Sequence, residues 1–228
     1  MNRTLLVFGA SWPAGDELQN TNLAFPFIIG RKMLMDVKNF TEVGSSNDYM
    51  VYRFFDFLKN EFDPDGSYVA LFCLTPPARH LFWDPVSNKP MHLSNGDPRH
   101  KLFFKHFHSA KHDIFSMQKN ITVLELLCKH HNIKSYFTKE MQSDYQCDCL
   151  VEINVYPKSL AGILGLDAED CPKDNPLPDF DSSDGPYPVF SYMVKMYGEK
   201  YIYPNIFHPN YEGHELIADK LVNWINCG

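Results

Sequence analysis

Leu5-Leu6-Val7-Phe8-Gly9-Ala10-Ser11-Trp12-Pro13-Ala14-Gly15 is the stretch on which the fold turns. An unbroken apolar run ending at a glycine is the pattern of a short strand buried on both faces, as in a parallel sheet covered by helices. The serine falls in the turn just past that strand. In open α/β sheets, ligands bind outside the carboxyl ends of the strands. Ser11 therefore stands where a nucleophile is useful. It is equally placed to close a turn with a hydrogen bond.

Outward from this stretch, strand and helix patterns alternate. Residues 22–35 read as a helix, and Val37 to Val43 as a short strand stopped by Gly44. Val51, Phe54, Phe55 and Leu58 fall at i, i+3, i+4, i+7, one face of a helix with Ser46 or Asn47 as its N-cap. Tyr68 to Leu74 is a second buried strand stopped by Pro76-Pro77. Residues 80–96 read as a hairpin or an excursion. From Pro98 to His131 the composition is helical, with Ile114, Met117, Ile121, Leu124 and Cys128 on one face. Ile133 to Thr138 is a strand. Ile217, Leu221, Trp224 and Ile225 form the buried stripe of a C-terminal helix. The alternation over 228 residues predicts one α/β domain with a mainly parallel sheet of about five strands between helical layers.

The formal charge of −7 is unevenly placed. Residues 167–184 hold seven acids against Lys173, so six of the seven net charges lie in one proline-rich segment, expected to be a surface loop. An acidic chain lacks the basic footprint of a nucleic-acid binder. No apolar run approaches the roughly 18–20 residues that cross a bilayer. The apolar run at residues 5–8 is too short for a secretory h-region, which implies a cytoplasmic protein. The six cysteines are then expected as free thiols.

Two further places could carry chemistry. In Asn205-Ile206-Phe207-His208-Pro209, His208 precedes an amphipathic helix. A histidine with an orienting partner a few residues upstream can act as a general base; it can also brace a helix start. Gly44-Ser45-Ser46-Asn47 lies at a strand end and a helix start, where free N–H groups can hold an anion or simply be capped. Weaker groupings are His108 with His112, Cys147 with Cys149 and Cys171, and Asp179, Asp181 and Asp184. None has the full spacing of a zinc or calcium site, and no metal is expected.

Together these stretches resemble the SGNH/GDSL hydrolases. Gly9-Ala10-Ser11 stands for the Gly-Asp-Ser nucleophile block, Gly44 for the second-block glycine, and Asn205 to His208 for the Asp-x-x-His block. The chain is most similar to the SGNH-like proteins often found in phages, with Gly-Ser-Ser-Asn as second block and Thr75-Pro76-Pro77-Ala78-Arg79 as the Thr-x-x-x-Arg motif. The resemblance implies a flavodoxin-like three-layer α/β/α sandwich that needs no cofactor and acts on small-molecule or carbohydrate esters. It implies Ser11 as nucleophile, His208 as base, Asn205 as its orienter, and an oxyanion hole from Ser11, Gly44 and Asn47. Thr75 and Arg79 become substrate-binding candidates. A phage-encoded protein would work in the host cytosol or the virion.

The departures are specific. Ala10 replaces the aspartate beside the nucleophile, and Asn205 replaces the triad aspartate. An asparagine orients an imidazole but does not balance its charge; a comparable change in a serine protease costs roughly 10⁴ in rate. The third-block asparagine has no counterpart, which leaves Thr75 or Asn47 to supply its donor. The acidic loop offers one remedy: Asp181 or Asp184 reaching His208 as the missing carboxylate. The alternatives to a hydrolase are a binding or virion-associated protein on the same fold, and an acyltransferase using the same residues.

Overall fold

A computed structural model describes residues 3–93, 100–106, 109–141, 152–172, 178, 188–203 and 207–227. Strand β1 (Arg3–Phe8) pairs in parallel with β2 (Met35–Asn39) on one side and β3 (Ser67–Leu74) on the other. Strand β6 (Lys134–Lys139) adds to β3, also in parallel, giving the order β2-β1-β3-β6. Val155 bridges Phe137 in parallel, so the chain occupies a fifth sheet position with a single pair. The expected sheet of about five strands is thus four full strands and this bridge.

The central strands are apolar from Leu5 to Phe8 and from Val69 to Leu74, where both faces are covered. Leu5, Val7, Val69, Leu71, Cys73 and Tyr136 enter one core with α2 (Phe25–Met33) and α8 (Tyr211–Cys227). Their neighbours Leu6, Phe8, Ala70, Phe72 and Phe137 enter the other, against α3 (Asn47–Asn60) and α5 (Ala110–His130). This is the period-2 alternation of a strand read through two buried faces. On the second face Phe40, Phe8, Phe72 and Phe137 stack across the sheet at centroid spacings of 5.0–5.1 Å. The result is the three-layer α/β/α sandwich expected from the sequence.

Several boundaries shift. The first long helix begins at Phe25, after a separate 3₁₀ turn over Thr21–Leu23, and places Pro26 in its first turn. Strand β2 starts at Met35 and ends at Asn39 rather than running to Val43. Helix α3 has Ser46 as N-cap, its side chain accepting the Tyr49 N–H at 3.3 Å. Its buried stripe is Met50, Phe54 and Phe57, while Phe55 is half exposed. Residues 80–93 form a hairpin, β4 (His80–Trp83) and β5 (Pro90–Leu93). The helical stretch before His131 is two helices, α4 (Lys101–His106) and α5. The short α6 (Leu160–Ile163) and α7 (Pro188–Tyr197) follow β6. The two-residue strands β7 (Ile202–Tyr203) and β8 (His208–Pro209) pair antiparallel and lead into α8.

The start of the acidic segment is anchored. Asp167 is buried and accepts from the Ser159 hydroxyl at 2.8–2.9 Å, while its own N–H donates to Asp170. Lys158 pairs with Asp170 at 2.9 Å. These acids therefore serve local structure. Cys73, Cys128 and Cys227 are free thiols. Among the described residues no helix is long and apolar enough to cross a membrane, and no group of three potential ligands could hold a metal ion. His108, Cys147, Cys149, Asp179, Asp181 and Asp184 lie outside the described residues.

Candidate active site

Ser11 opens the single-turn helix α1 (Ser11–Ala14) directly off the end of β1. Gly9 makes that turn possible. A Cβ there would lie 2.6 Å from Pro13 Cγ and 2.9 Å from Cys73 Cβ, so only glycine lets the turn fold back onto β3. Gly15 ends the turn with φ +66°, and a Cβ on it would meet Ala24 at 2.5 Å. The serine is 8% exposed. The turn is held from one side by Trp12, which packs on Phe190, and from the other by Asn39, whose amide donates to Pro13 O at 3.1 Å.

The second sequence block lies beside it. Glu42 N–H and the Ser45 hydroxyl both donate to Gly9 O, at 3.2 and 2.9 Å, tying the 42–45 loop to the Ser11 turn. Gly44 faces open space: a Cβ on it would meet nothing within 4 Å. The Asn47 side chain is 3% exposed and pairs both ways with the Thr75 backbone. It donates to Thr75 O at 2.9 Å and accepts Thr75 N–H at 3.0 Å. Asn47 thus braces the end of β3 against the start of α3, and Thr75 is the residue so held.

His208 comes from the far end of the chain. Strand β8 packs against α1, with Cα atoms of the two elements within 8 Å. The Nδ1 atom of His208 is 2.9 Å from Glu17 Oε1, a close ion-pair contact that lacks the alignment of a full hydrogen bond. Catalytic contacts in ligand-free sites are often loose in this way. Burial, the largest influence, drives the His208 pKa below 6.5. Glu17 and Asp16 pull it back up, and the Arg79 guanidinium again lowers it. The ring is thus neutral and basic near pH 7, the state a general base needs. Asn205, its expected orienter, lies outside the described residues, as do Asp181 and Asp184.

Arg79 follows the Pro76 turn, its N–H bonded to Pro76 O at 3.2 Å, and its Nη1 is buried without a hydrogen-bond partner among the described residues. It faces Glu140, just past the end of β6. Glu140 is 1% exposed. Burial pushes its pKa from 4.5 to about 7, partly offset by Arg79 and by the backbone N–H of Ala10, immediately before Ser11, which acts to lower it.

The geometry thus brings Ser11, Gly44, Asn47, Thr75, Arg79 and His208 to one end of the sheet. Sequence reasoning missed Glu17 and Glu140. An acidic pair, Asp16-Glu17, directly after the Ser11 turn was the available signal for the first. For Glu140, the signal was an acid just past a buried strand in the same sheet.

Neither a family model nor a curated protein matches the chain at the level of sequence. Solved structures do match along its whole length. A protein assigned to the lipolytic G-D-S-L family from Desulfitobacterium hafniense has TM-score 0.51 at 13% identity, over 97% of this chain and 98% of that one. A member of the same family from Veillonella parvula gives TM-score 0.51 at 13% identity over 97% of both chains. The acetyl xylan esterase Est2A from Butyrivibrio proteoclasticus gives 0.51 at 12% identity, over 99% of this chain and 63% of that one. The fold of this protein is that of the SGNH/GDSL hydrolases.

Proposed function

We propose that this protein is a serine hydrolase of small esters. Ser11 attacks the ester carbonyl, and His208 takes the serine proton and returns it to the leaving alkoxide. The backbone N–H groups of Ser11 and Gly44 receive the oxyanion, with the Asn47 amide holding the Thr75 turn beside them. The observation that carries this reading is the packing of β8 on α1, which sets a neutral, half-buried histidine against the turn that begins with the serine. A serine only 8% exposed favours a compact acyl group. A carbohydrate O-acetyl group is the proposed substrate, and the fold likeness to an acetyl xylan esterase supports it.

A fluorophosphonate probe and p-nitrophenyl acetate test the reading. Labelling and turnover are expected in the wild type, with both lost in Ser11→Ala and reduced at least 10³-fold in His208→Ala. Absence of Ser11-dependent labelling would leave the fold as a binding protein, the role to which Asn205 in the triad aspartate's place points. Faster transfer to an added sugar than to water would make it an acyltransferase.

A further inference from the structure

We infer that Glu17 is the positioning carboxylate of His208, supplied from beside the nucleophile rather than from the segment preceding the histidine. The inference rests on the proposed hydrolase reading and adds a residue that the resemblance to SGNH hydrolases does not provide.

Three observations converge on Glu17. Its Oε1 lies 2.9 Å from Nδ1, the ring nitrogen opposite the one needed to reach a serine hydroxyl. A carboxylate there keeps the proton on Nδ1 and leaves the Nε2 lone pair free for the Ser11 proton. The Glu17 side chain is 29% exposed and the His208 ring 20%, so the pair sits at the rim of the site, where water only partly screens it. Finally, the chain geometry fixes Glu17. Gly15 ends α1 in the left-handed conformation, and Leu18 N–H bonds back to Gly15 O at 3.0 Å, a turn that encloses Asp16 and Glu17.

The consequence is an unusual economy of sequence. The nucleophile and the carboxylate come from one short segment, residues 11–17, and only the histidine arrives from elsewhere. Asn205 is then free to be an asparagine, because the charge that stabilises the imidazolium comes from Glu17. As Ser11 gives up its proton, it moves to Nε2, and His208 becomes a cation facing Glu17. When the leaving alkoxide takes that proton, the ring returns to neutral; in deacylation, water's proton follows the same route back to Ser11.

Among the described residues, the charged groups that act on His208 are Glu17, Asp16 and Arg79, and the neutral His214 lies nearby. Of these only Glu17 is in contact through a ring nitrogen. Removing it takes away a raising influence and leaves burial and Arg79 opposed only by Asp16, so the histidine titrates at lower pH.

The test uses full-length Glu17→Gln, Glu17→Asp and Asp16→Asn. In Glu17→Gln, kcat for p-nitrophenyl acetate should fall 10²–10⁴-fold with KM within about threefold. The acidic limb of the kcat/KM profile should move to lower pH, with the His208 imidazole titration by NMR moving with it. Glu17→Asp should recover part of kcat, and Asp16→Asn should cost no more than several-fold. Wild-type kcat and an unmoved acidic limb in Glu17→Gln overturn the assignment while Ser11 still labels. Loss of Ser11-dependent labelling in the wild type itself overturns the hydrolase reading and this inference together. A Glu17→Gln chain that loses activity but keeps the wild-type His208 titration also overturns it, since the carboxylate then acts through something else.

Discussion

His214 and Glu140 are two buried groups with opposite demands on pH. His214 accepts the Phe25 N–H on Nδ1 at 3.2 Å and stacks on the Phe25 ring, which ties α8 to α2. It must stay neutral, and burial, aided by the charge of His208, holds its pKa near 3 rather than 6.5. The unfolded chain binds this proton first as pH falls, so the stability His214 contributes is present above 6.5 and is lost toward 3. Glu140 runs the other way. Its folded pKa is raised from 4.5 to about 7, so its contribution is present below 4.5 and is lost as pH rises through that window. Between about 4.5 and 6.5 the two oppose each other, each worth roughly 1.4 kcal/mol per pH unit. We expect Glu140→Gln to unmask the histidine: its stability by denaturant titration should climb between pH 4.5 and 6.5 where the wild type is nearly level. An identical pH slope in the two proteins would show that Glu140 titrates normally.

Helix α3 shows how an element's surroundings decide which of its faces is core. Its apolar residues cover more than one arc, and the sequence alone favoured Val51, Phe54, Phe55 and Leu58. In the structure Asp48 accepts from Asn120 of α5 at 2.8 Å, which sets the rotation. Met50, Phe54 and Phe57 then point inward. The arc bearing Tyr49 and Tyr52 is covered by the β4–β5 hairpin through His92 and Trp83. A helix contacted on two sides has no single periodic stripe to read. Phe57→Ala should cost about 3–5 kcal/mol by chemical denaturation, whereas Phe55→Ala should stay within roughly 1 kcal/mol. Equal costs would contradict the observed rotation. The site elements were more legible than this helix, because strand ends and glycines mark Ser11 and Gly44, and a proline-flanked histidine before an amphipathic stripe marks His208. Glu17 was hidden for a physical reason. Its partner lies at the opposite end of the chain, and only the three-dimensional closure of β8 on α1 joins them; a search for a carboxylate near His208 in sequence looks in the wrong place.

At the scale of the whole molecule, the sheet separates two cores that share no buried side chain among the described residues. One contains Leu5, Val7, Leu71, Ile217 and Leu221; the other contains Leu6, Phe8, Phe54, Phe57 and Ile121. Substitutions on opposite faces should therefore not sense each other. Leu221→Ala and Phe57→Ala should combine to within about 0.5 kcal/mol of their sum, as expected of sites without common partners. A larger coupling would mean that the sheet transmits strain between its faces. The same partition explains why the layer architecture could be read early: the central strands carry the unbroken apolar runs Leu5–Phe8 and Val69–Leu74, the pattern of a strand covered on two faces.

The Phe25–His214 bond spans 189 positions, and β8 reaches α1 across a similar interval. Contacts of such long range form late, since the entropy of closing the loop comes before any reward. Ser11 is thus synthesised well before His208, the base that the proposed reading assigns to it. On the proposed reading, a chain in which β8 has not yet reached α1 carries a serine with nothing to deprotonate it, so its reactivity would be withheld until the two ends meet.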